Sequence, residues 1–317
     1  MKTLTIAETA QFLLDHDRYT ILTHQRPDGD TVGSAAALCL GLRQLGKTAH
    51  VLENREVTPR YQHLHQGLTK PEAQPEDILI STDVAAPNML PKDFLPLQHR
   101  IALRIDHHGT ATSFTEWELV EPHSASCAEL IWDVLQAMGC RPEGKLMEAV
   151  YVGLSTDTGC FRFANTTAHT FRTAAVCAEA GVDFYNINQT LFETNSLARL
   201  RMHGWLIEHV RLLRQGTVAV SLIPRSIEEA IGVTSDDMEN ISNIPRGIEG
   251  VKLAATLREA PEGGVKLSVR AVPGYDAAAV ARRFGGGGHK GAAGAYLDLP
   301  LEQAGAAVEA AIAEVLA

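Results

Sequence analysis

The chain has 317 residues, 45% of them apolar and 21% charged, and a net charge of −10 at pH 7. That length exceeds one ordinary domain and predicts two, and the composition is that of a globular protein able to bury a sizeable core. The acidic balance excludes a long nucleic-acid duplex laid along a basic face, and no run approaches the ~20 apolar residues of a membrane span. A short anionic ligand stays compatible, because bound metals and a few arginines can reverse the local field.

Thr5-Ile-Ala-Glu8 reads as a capping box opening an amphipathic helix rather than a leader peptide, and Asp15 and Asp17 end it. Apolar runs then alternate with helical patterns, which predicts an α/β domain built on a mostly parallel sheet. Strands are expected at Tyr19–Thr23, Ala49–Leu52, Ile78–Thr82 and Ile101–Ile105. Helices are expected at about Thr31–Leu45, Ala128–Met138, Lys145–Ser155 and Ala168–Ala180. In the first of these, Gly33, Ser34 and Ala35–Ala37 would allow a close approach to the sheet. From Ser196 to Arg214, Leu206, Val210 and Leu213 recur at helical spacing among charges, which fits a connector or the last helix of the first domain.

After Gly216 a smaller α/β domain with a mixed sheet is expected, with strands Val218–Ile223, Val251–Leu257 and Val265–Val272. Pro261-Glu-Gly-Gly264 supplies the turn between the last two. Asp276 caps a short helix, a Gly285–Gly294 loop leads to strand Ala295–Leu297, and a terminal helix covers Leu301–Leu316. The predicted organisation is thus residues 1–190 as a metal-binding domain, 191–214 as a helical linker and 215–317 as a substrate-binding domain, with the active-site cleft between the two domains. The five cysteines are odd in number and form no CxxC pair, which reads as buried reduced thiols in a cytoplasmic protein.

The chemistry is concentrated at strand ends. Tyr19–Thr23 runs into His24-Gln-Arg-Pro-Asp28-Gly-Asp30, Ile78–Thr82 ends at Asp83, and Ile101–Ile105 ends at Asp106-His107-His108. Open α/β sheets place their sites at this edge. The helix from Lys145 delivers Asp157. A lone Asp after a strand is commonly a helix cap, and Asp-Gly-Asp is commonly a turn. Four such endings in one domain argue for convergence. Clustered carboxylates would repel one another, and two divalent cations would balance them while imidazoles serve as neutral ligands. Oxygen-rich ligation with imidazole and no cysteine suits Mn²⁺ over Zn²⁺, with Mg²⁺ or Co²⁺ as alternatives. A dinuclear site of this kind would activate a hydroxide for attack on a phosphoryl group.

In the second domain, Gly285 to Gly294 carries His289 and Lys290 among glycines whose N–H groups can approach a phosphate. A structural turn is the competing reading. Arg270 and Lys266 share the polar face of the Val265–Val272 strand, so Arg270 can point into the same cleft.

Taken in order, His24-x-x-x-Asp28-x-Asp30, Asp83, Asp106-His107-His108 and Asp157 resemble the four N-terminal motifs of the DHH phosphoesterase family. Gly286-Gly-Gly-His289-x-x-Ala-Ala-Gly294 resembles the signature of its C-terminal DHH-associated domain. The resemblance spans Leu4 to about Leu299. Within the family, Phe161-Arg-Phe163 and Asn165-Thr-Thr167 are similar to the NrnA-type branch, whose bacterial members degrade very short RNA and dephosphorylate 3′-phosphoadenosine 5′-phosphate.

The resemblance implies that His24, Asp28 and Asp83 hold one metal, and that Asp30, Asp83, His107 and Asp157 hold the other. It further implies that Asp106 orients its neighbours, that His108 faces the scissile phosphate as a catalytic residue, and that Arg270, Gly286, Gly287, Gly288 and His289 bind substrate. Many relatives have Arg-Ser where this chain has Arg270-Ala271, which puts a hydroxyl contribution there in doubt. Short RNA oligonucleotides or nucleotides are the implied partners, with a homodimer as the implied assembly. A cyclic or linear dinucleotide phosphodiesterase (c-di-AMP or pApA) is the alternative. A RecJ-like single-strand exonuclease and a non-catalytic nucleotide-binding module are weaker alternatives.

Overall fold

The computed structural model describes residues 2–109 and 112–316, and the chain divides into two compact units, Met1–Thr194 and Asn195–Ala317. In the first unit, β1 (Lys2–Thr3) precedes α1 (Ile6–Asp15), which opens with the predicted capping box. The Glu8 N–H donates to Thr5 Oγ1 at 3.2 Å, and the Thr5 N–H donates to the Glu8 carboxylate at 2.9 Å. The chain continues through β2 (Tyr19–Leu22), α2 (Gly29–Gln44), β3 (Ala49–Leu52), α3 (Pro59–His65), β4 (Thr69–Lys70) and β5 (Ile78–Thr82). Then come β6 (Ile101–Asp106), β7 (Trp117–Val120), α4 (Cys127–Ala137), α5 (Gly144–Asp157), α6 (Ala168–Glu179) and α7 (Phe184–Asn188).

The seven strands lie in the order β1-β7-β6-β5-β2-β3-β4, and every pairing is parallel. From β2 the chain moves outward to β3 and β4, whereas from β5 it moves the other way to β6 and β7. The order therefore reverses between β2 and β5. The connections leave their carboxyl ends in opposite directions, and this is where open sheets of this kind offer a crevice for ligands. The expected parallel α/β architecture is present. The edge strands β1 and β4 and the internal strand β7 are not legible in the sequence, because two to four residues are too few to show a period.

The helix α2 is buried on nearly all sides. Its tightest approach is to α5 and not to the sheet, as its small residues had suggested. A Cβ on Gly33 would stand 2.4 Å from the Ala149 carbonyl oxygen, and one on Gly153 would stand 2.4 Å from Ala128 Cβ. These two glycines let α2, α4 and α5 nest, and Leu38, Leu42, Leu135 and Val150 of the same helices belong to one buried core.

The second unit begins with α8 (Leu197–His209), followed by β8 (Arg211–Leu213), β9 (Val218–Ile223), α9 (Arg225–Ile231), α10 (Asn243–Arg246), β10 (Leu253–Glu259) and β11 (Val265–Ala271). It ends with α11 (Ala277–Arg282), β12 (Gly287–Gly288), β13 (Ala292–Leu297) and α12 (Leu301–Val315). The strand order is β8-β9-β10-β11-β13-β12. β9 and β10 run parallel while the other neighbours are antiparallel, so the sheet is mixed as expected.

Two local expectations differ. The helical pattern toward Arg214 stops at His209, because Arg214, Gln215 and Gly216 adopt φ values of 48°, 56° and 85° and close a β8–β9 hairpin. The Gly285–Gly294 segment is a small hairpin in which β12 pairs with β13, and β13 starts at Ala292. Asp276 does cap α11, its Oδ1 accepting from the Ala279 N–H at 2.9 Å. Among the described residues, no helix is long and apolar enough to cross a membrane.

Candidate metal centre

Each acidic or histidine residue singled out in the first unit is delivered by a local rule. Asp28 is the N-cap of α2, its carboxylate accepting from the Asp30 and Thr31 N–H groups, both at 3.1 Å. Asp30, within the first turn, reaches the start of α4 and accepts from the Cys127 N–H at 2.7 Å and the Ala128 N–H at 2.9 Å. These are orphan donors of a helix N-terminus, and they fix the carboxylate's orientation. Asp83 follows β5 with φ 60°, a left-handed conformation rare outside glycine, and its N–H donates to the Ile105 carbonyl at 3.0 Å. Asp157 is the last residue of α5.

These residues converge. His24 Nε2 lies 3.7 Å from Asp28 Oδ1 and 3.5 Å from Asp83 Oδ2. His107 Nε2 lies 3.6 Å from Asp30 Oδ2, 3.5 Å from Asp83 Oδ1 and 3.6 Å from Asp157 Oδ2. His24 Nδ1 is 2.8 Å from the Gln25 carbonyl, and His107 Nδ1 is 3.2 Å from the Ser124 carbonyl. A carbonyl only accepts, so Nδ1 of each ring carries a proton, and Nε2 is the nitrogen turned toward the carboxylates and available to a cation.

The donor set fits divalent cations. The imidazole–carboxylate separations exceed the ~3.2 Å limit of an N–H···O hydrogen bond. Three sets place their ligand atoms within 4.8 Å of one another: His24, Asp28 and Asp83; Asp83, His107 and His108; and Asp30, His107 and Asp157. Asp83 Oδ1 is buried without any hydrogen-bond partner, a costly state for a carboxylate oxygen unless a cation meets it. All the ligand atoms are oxygen or imidazole nitrogen, which suits hard to borderline divalent ions.

The electrostatics agree. Burial, then repulsion from Asp83, Asp157 and Asp28, pushes the Asp30 carboxyl well above its usual range. Burial also raises Asp83, and it raises Asp157 to about 7. Burial opposes charge on His24, yet Asp28 and Asp83 push its imidazole up to about 11. Without cations the cluster therefore holds protons that cation binding would release.

Asp106 and His108 form a separate arrangement beside it. The fully buried Asp106 accepts at Oδ1 from the His107 N–H at 2.8 Å, the His108 N–H at 3.2 Å and His108 Nδ1 at 2.8 Å. The hydrogen bond from Nδ1 pushes His108 up to about 9 and turns Nε2 to the side of this partly exposed ring away from Asp106. Two asparagines support the site from outside the ligand set. Asn54 Nδ2 donates to the His24 carbonyl at 2.9 Å, and Asn165 Nδ2 donates to the Ala125 and Asp157 carbonyls at 2.8 and 3.2 Å. Asn54 acts on backbone 30 residues away, so no local pattern marks it, and Asn165 stands out in the sequence only through the Asn165-Thr-Thr167 resemblance.

The remaining candidates lie in the second unit. Arg270 is partly buried, and its Nε donates to Asn243 Oδ1 at 3.1 Å. Burial and the nearby Arg246 pull its pKa down, and no carboxylate pairs with it among the described residues. Gly286 and Gly288 have a steric reason to be glycine within the hairpin. Their Cβ atoms would stand 2.1 Å from the Gly294 carbonyl oxygen and 2.6 Å from that of Ala292. Gly287 faces open space, and His289 is exposed at the hairpin tip, its N–H donating to the Ala292 carbonyl at 2.8 Å.

The chain is also similar in sequence and fold to known proteins. The family model "DHH family, N-terminal domain" matches residues 18–154, and "DHHA1 domain" matches residues 215–317. A protein of Thermus thermophilus named "Bifunctional oligoribonuclease and PAP phosphatase NrnA" is 32% identical over 299 residues, 93% of this chain and 89% of the relative. One of Mycoplasma genitalium with the same name is 24% identical over 307 residues, 94% of each chain. In fold, the chain is similar to an exopolyphosphatase-related protein from Bacteroides fragilis, with a TM-score of 0.84 at 24% identity over 98% of this chain and 95% of that one. With both family models in order along it, and a relative at nearly a third identity matched over most of both chains, this chain belongs to the DHH phosphoesterase family.

Proposed function

We propose that the chain hydrolyses phosphoester bonds in very short oligoribonucleotides, down to dinucleotides, and in 3′-phosphoadenosine 5′-phosphate, with two Mn²⁺ ions. One observation carries the reading: Asp83 turns Oδ2 toward His24 and Oδ1 toward His107, each at 3.5 Å, so one carboxylate serves two neighbouring ligand sets. His24, Asp28 and Asp83 would hold one ion, and Asp30, Asp83, His107 and Asp157 the other. Ions held so would lower the pKa of water and neutralise phosphoryl oxygens.

The side chains supply the rest. Asp106 holds the proton of His108 on Nδ1 and so aims Nε2 outward, where it can donate to a phosphoryl oxygen or to the departing alkoxide. Asp30, locked onto the start of α4, and His107, locked onto the Ser124 carbonyl, keep the ligand set from collapsing when its charges change. In the second unit, Arg270, His289 and the N–H groups of Gly286–Gly288 would grip a terminal phosphate. The first unit, about residues 1–190, would then perform the reaction, and residues 215–317 would select the end of the substrate.

Oligoribonucleotides of graded length, 3′-phosphoadenosine 5′-phosphate, pApA and c-di-AMP should be compared under Mn²⁺. Dinucleotides and 3′-phosphoadenosine 5′-phosphate should turn over fastest, whereas preference for a long chain or for c-di-AMP would overturn the assignment. His289→Ala should raise KM by about tenfold with kcat little changed, the loss of one charge-assisted hydrogen bond of roughly 1.5 kcal/mol. A fall in kcat alone would remove its binding role.

A further inference from the structure

Beneath the centre lies a buried cation that none of the ligand motifs includes. Arg104 stands two residues before Asp106 on β6, so strand alternation puts both on one face. It is 1% exposed. Its Nη1 donates to the Ala85 carbonyl at 3.1 Å and to the Thr112 carbonyl at 3.1 Å, and its Nη2 donates to Glu118 Oε2 at 3.0 Å. Nη1 also lies 3.8 Å from Asp106 Oδ2, the buried carboxylate oxygen that has no hydrogen-bond partner. The guanidinium covers the Phe114 ring at 5.2 Å.

These contacts join the loops that carry the chemistry. Ala85 is two residues past Asp83, and its carbonyl also accepts from the Thr112 N–H at 2.8 Å. Thr112 and Phe114 belong to the segment that follows His108. Glu118, on β7, ties that segment further, accepting from Ser113 Oγ at 2.9 Å and the Phe114 N–H at 3.2 Å. A left-handed Asp83 persists only where its surroundings over-determine it. One planar guanidinium, with Nη1 and Nη2 spanning both loops, provides such a restraint, and the single ammonium of a lysine could reproduce only part of it.

We propose that Arg104 is a positioning residue: it holds the Asp83 turn and the segment after His108 in fixed relation, and through Asp106 it holds His108. This inference rests on the functional reading given above. Removing Arg104 alone would strand Glu118 as an unpaired buried charge. The first test is therefore Arg104→Met combined with Glu118→Gln.

Calorimetric titration with Mn²⁺ alone should show its affinity lowered by about 10- to 100-fold, the usual effect of losing a partner that orients metal ligands. Turnover of a dinucleotide should fall through kcat, with KM little changed, and Arg104→Lys should recover part of both losses. A folded double variant with wild-type Mn²⁺ affinity and kcat overturns the assignment. If the double variant does not fold, Arg104→Lys decides the matter, and wild-type values there overturn it equally. A wild-type protein inactive on every candidate nucleotide would remove the functional reading, while the substrate-free calorimetry would still decide the role of Arg104.

Discussion

Asp83 combines three unfavourable features: a left-handed backbone worth about 1–2 kcal/mol of strain, nearly complete burial, and a carboxylate oxygen without a hydrogen-bond partner. Such a residue is sustained by what it binds. Asp83→Asn separates function from folding, because asparagine tolerates the left-handed region while losing the charge. The variant should keep its fold and lose metal, with turnover down about a thousandfold, the equivalent of several kcal/mol of charge stabilisation. In metal-free buffer at pH 8 its thermal midpoint should equal or exceed wild type, because a source of repulsion on Asp30 has gone. Calorimetry with Mn²⁺ and a melting curve test both halves, and retained full activity in metal-replete buffer would refute the bridging role. Arg104 is the residue-scale counterexample to reading motifs alone. It sits inside an apolar strand pattern, and only the packed partners Glu118, Ala85 and Thr112 reveal its purpose.

Among the elements, α2 and α5 matter most, since one begins with Asp28 and Asp30 and the other ends with Asp157. Their crossing depends on Gly33, whose hydrogen faces the Ala149 carbonyl where even a methyl would not fit. Gly33→Val should destabilise by about 1–3 kcal/mol through overpacking, or more if the helices cannot part. Displacing the crossing also moves the ligands at both helix ends. Mn²⁺ affinity should therefore fall with the melting temperature, and an unchanged affinity would show that the centre tolerates the shift. By contrast, Thr5→Ala disrupts a capping box remote from the ligands. It should cost about 0.5–2 kcal/mol and leave metal binding as it was, as paired melts and titrations would record. The β12–β13 hairpin teaches a related lesson. Glycines that read as a phosphate-binding loop are also demanded, at Gly286 and Gly288, by backbone pressed against backbone.

At the scale of the whole molecule, the cluster links stability to pH and to cations. In the cation-free protein, Asp30, Asp83 and Asp157 have folded pKa values above their unfolded ones, so the folded state holds extra protons above pH ~4, in the case of Asp157 up to about 7. The stability they contribute is lost as pH rises through that window. His24 and His108, raised to about 11 and about 9, act in the same direction at higher pH, their contribution being complete below the unfolded value near 6.5. Asp106 acts oppositely. Burial resists its ionisation, but His108 holds it below the usual range, and its contribution is lost only on acidification below about pH 4. The apo protein should therefore melt at lower temperature as pH rises from 5 to 8, and saturating Mn²⁺ should raise the midpoint far more at pH 8 than at pH 5. Equal metal-induced shifts at the two pH values would contradict the proton–cation exchange.

The sequence by itself determined the α/β class of both units, most strands and helices, and the list of acidic and histidine residues at strand ends. Those features are local: strand alternation, helix caps and the polar residue that follows an apolar run depend on neighbours a few positions away. Only the tertiary structure decided that the tight contact of α2 is with α5, that the helix after Ser196 gives way to a hairpin, and that Arg104 underpins Asp106. Each of these depends on groups brought together from distant parts of the chain, where steric fit and the pairing of buried charge act between residues that no local pattern connects.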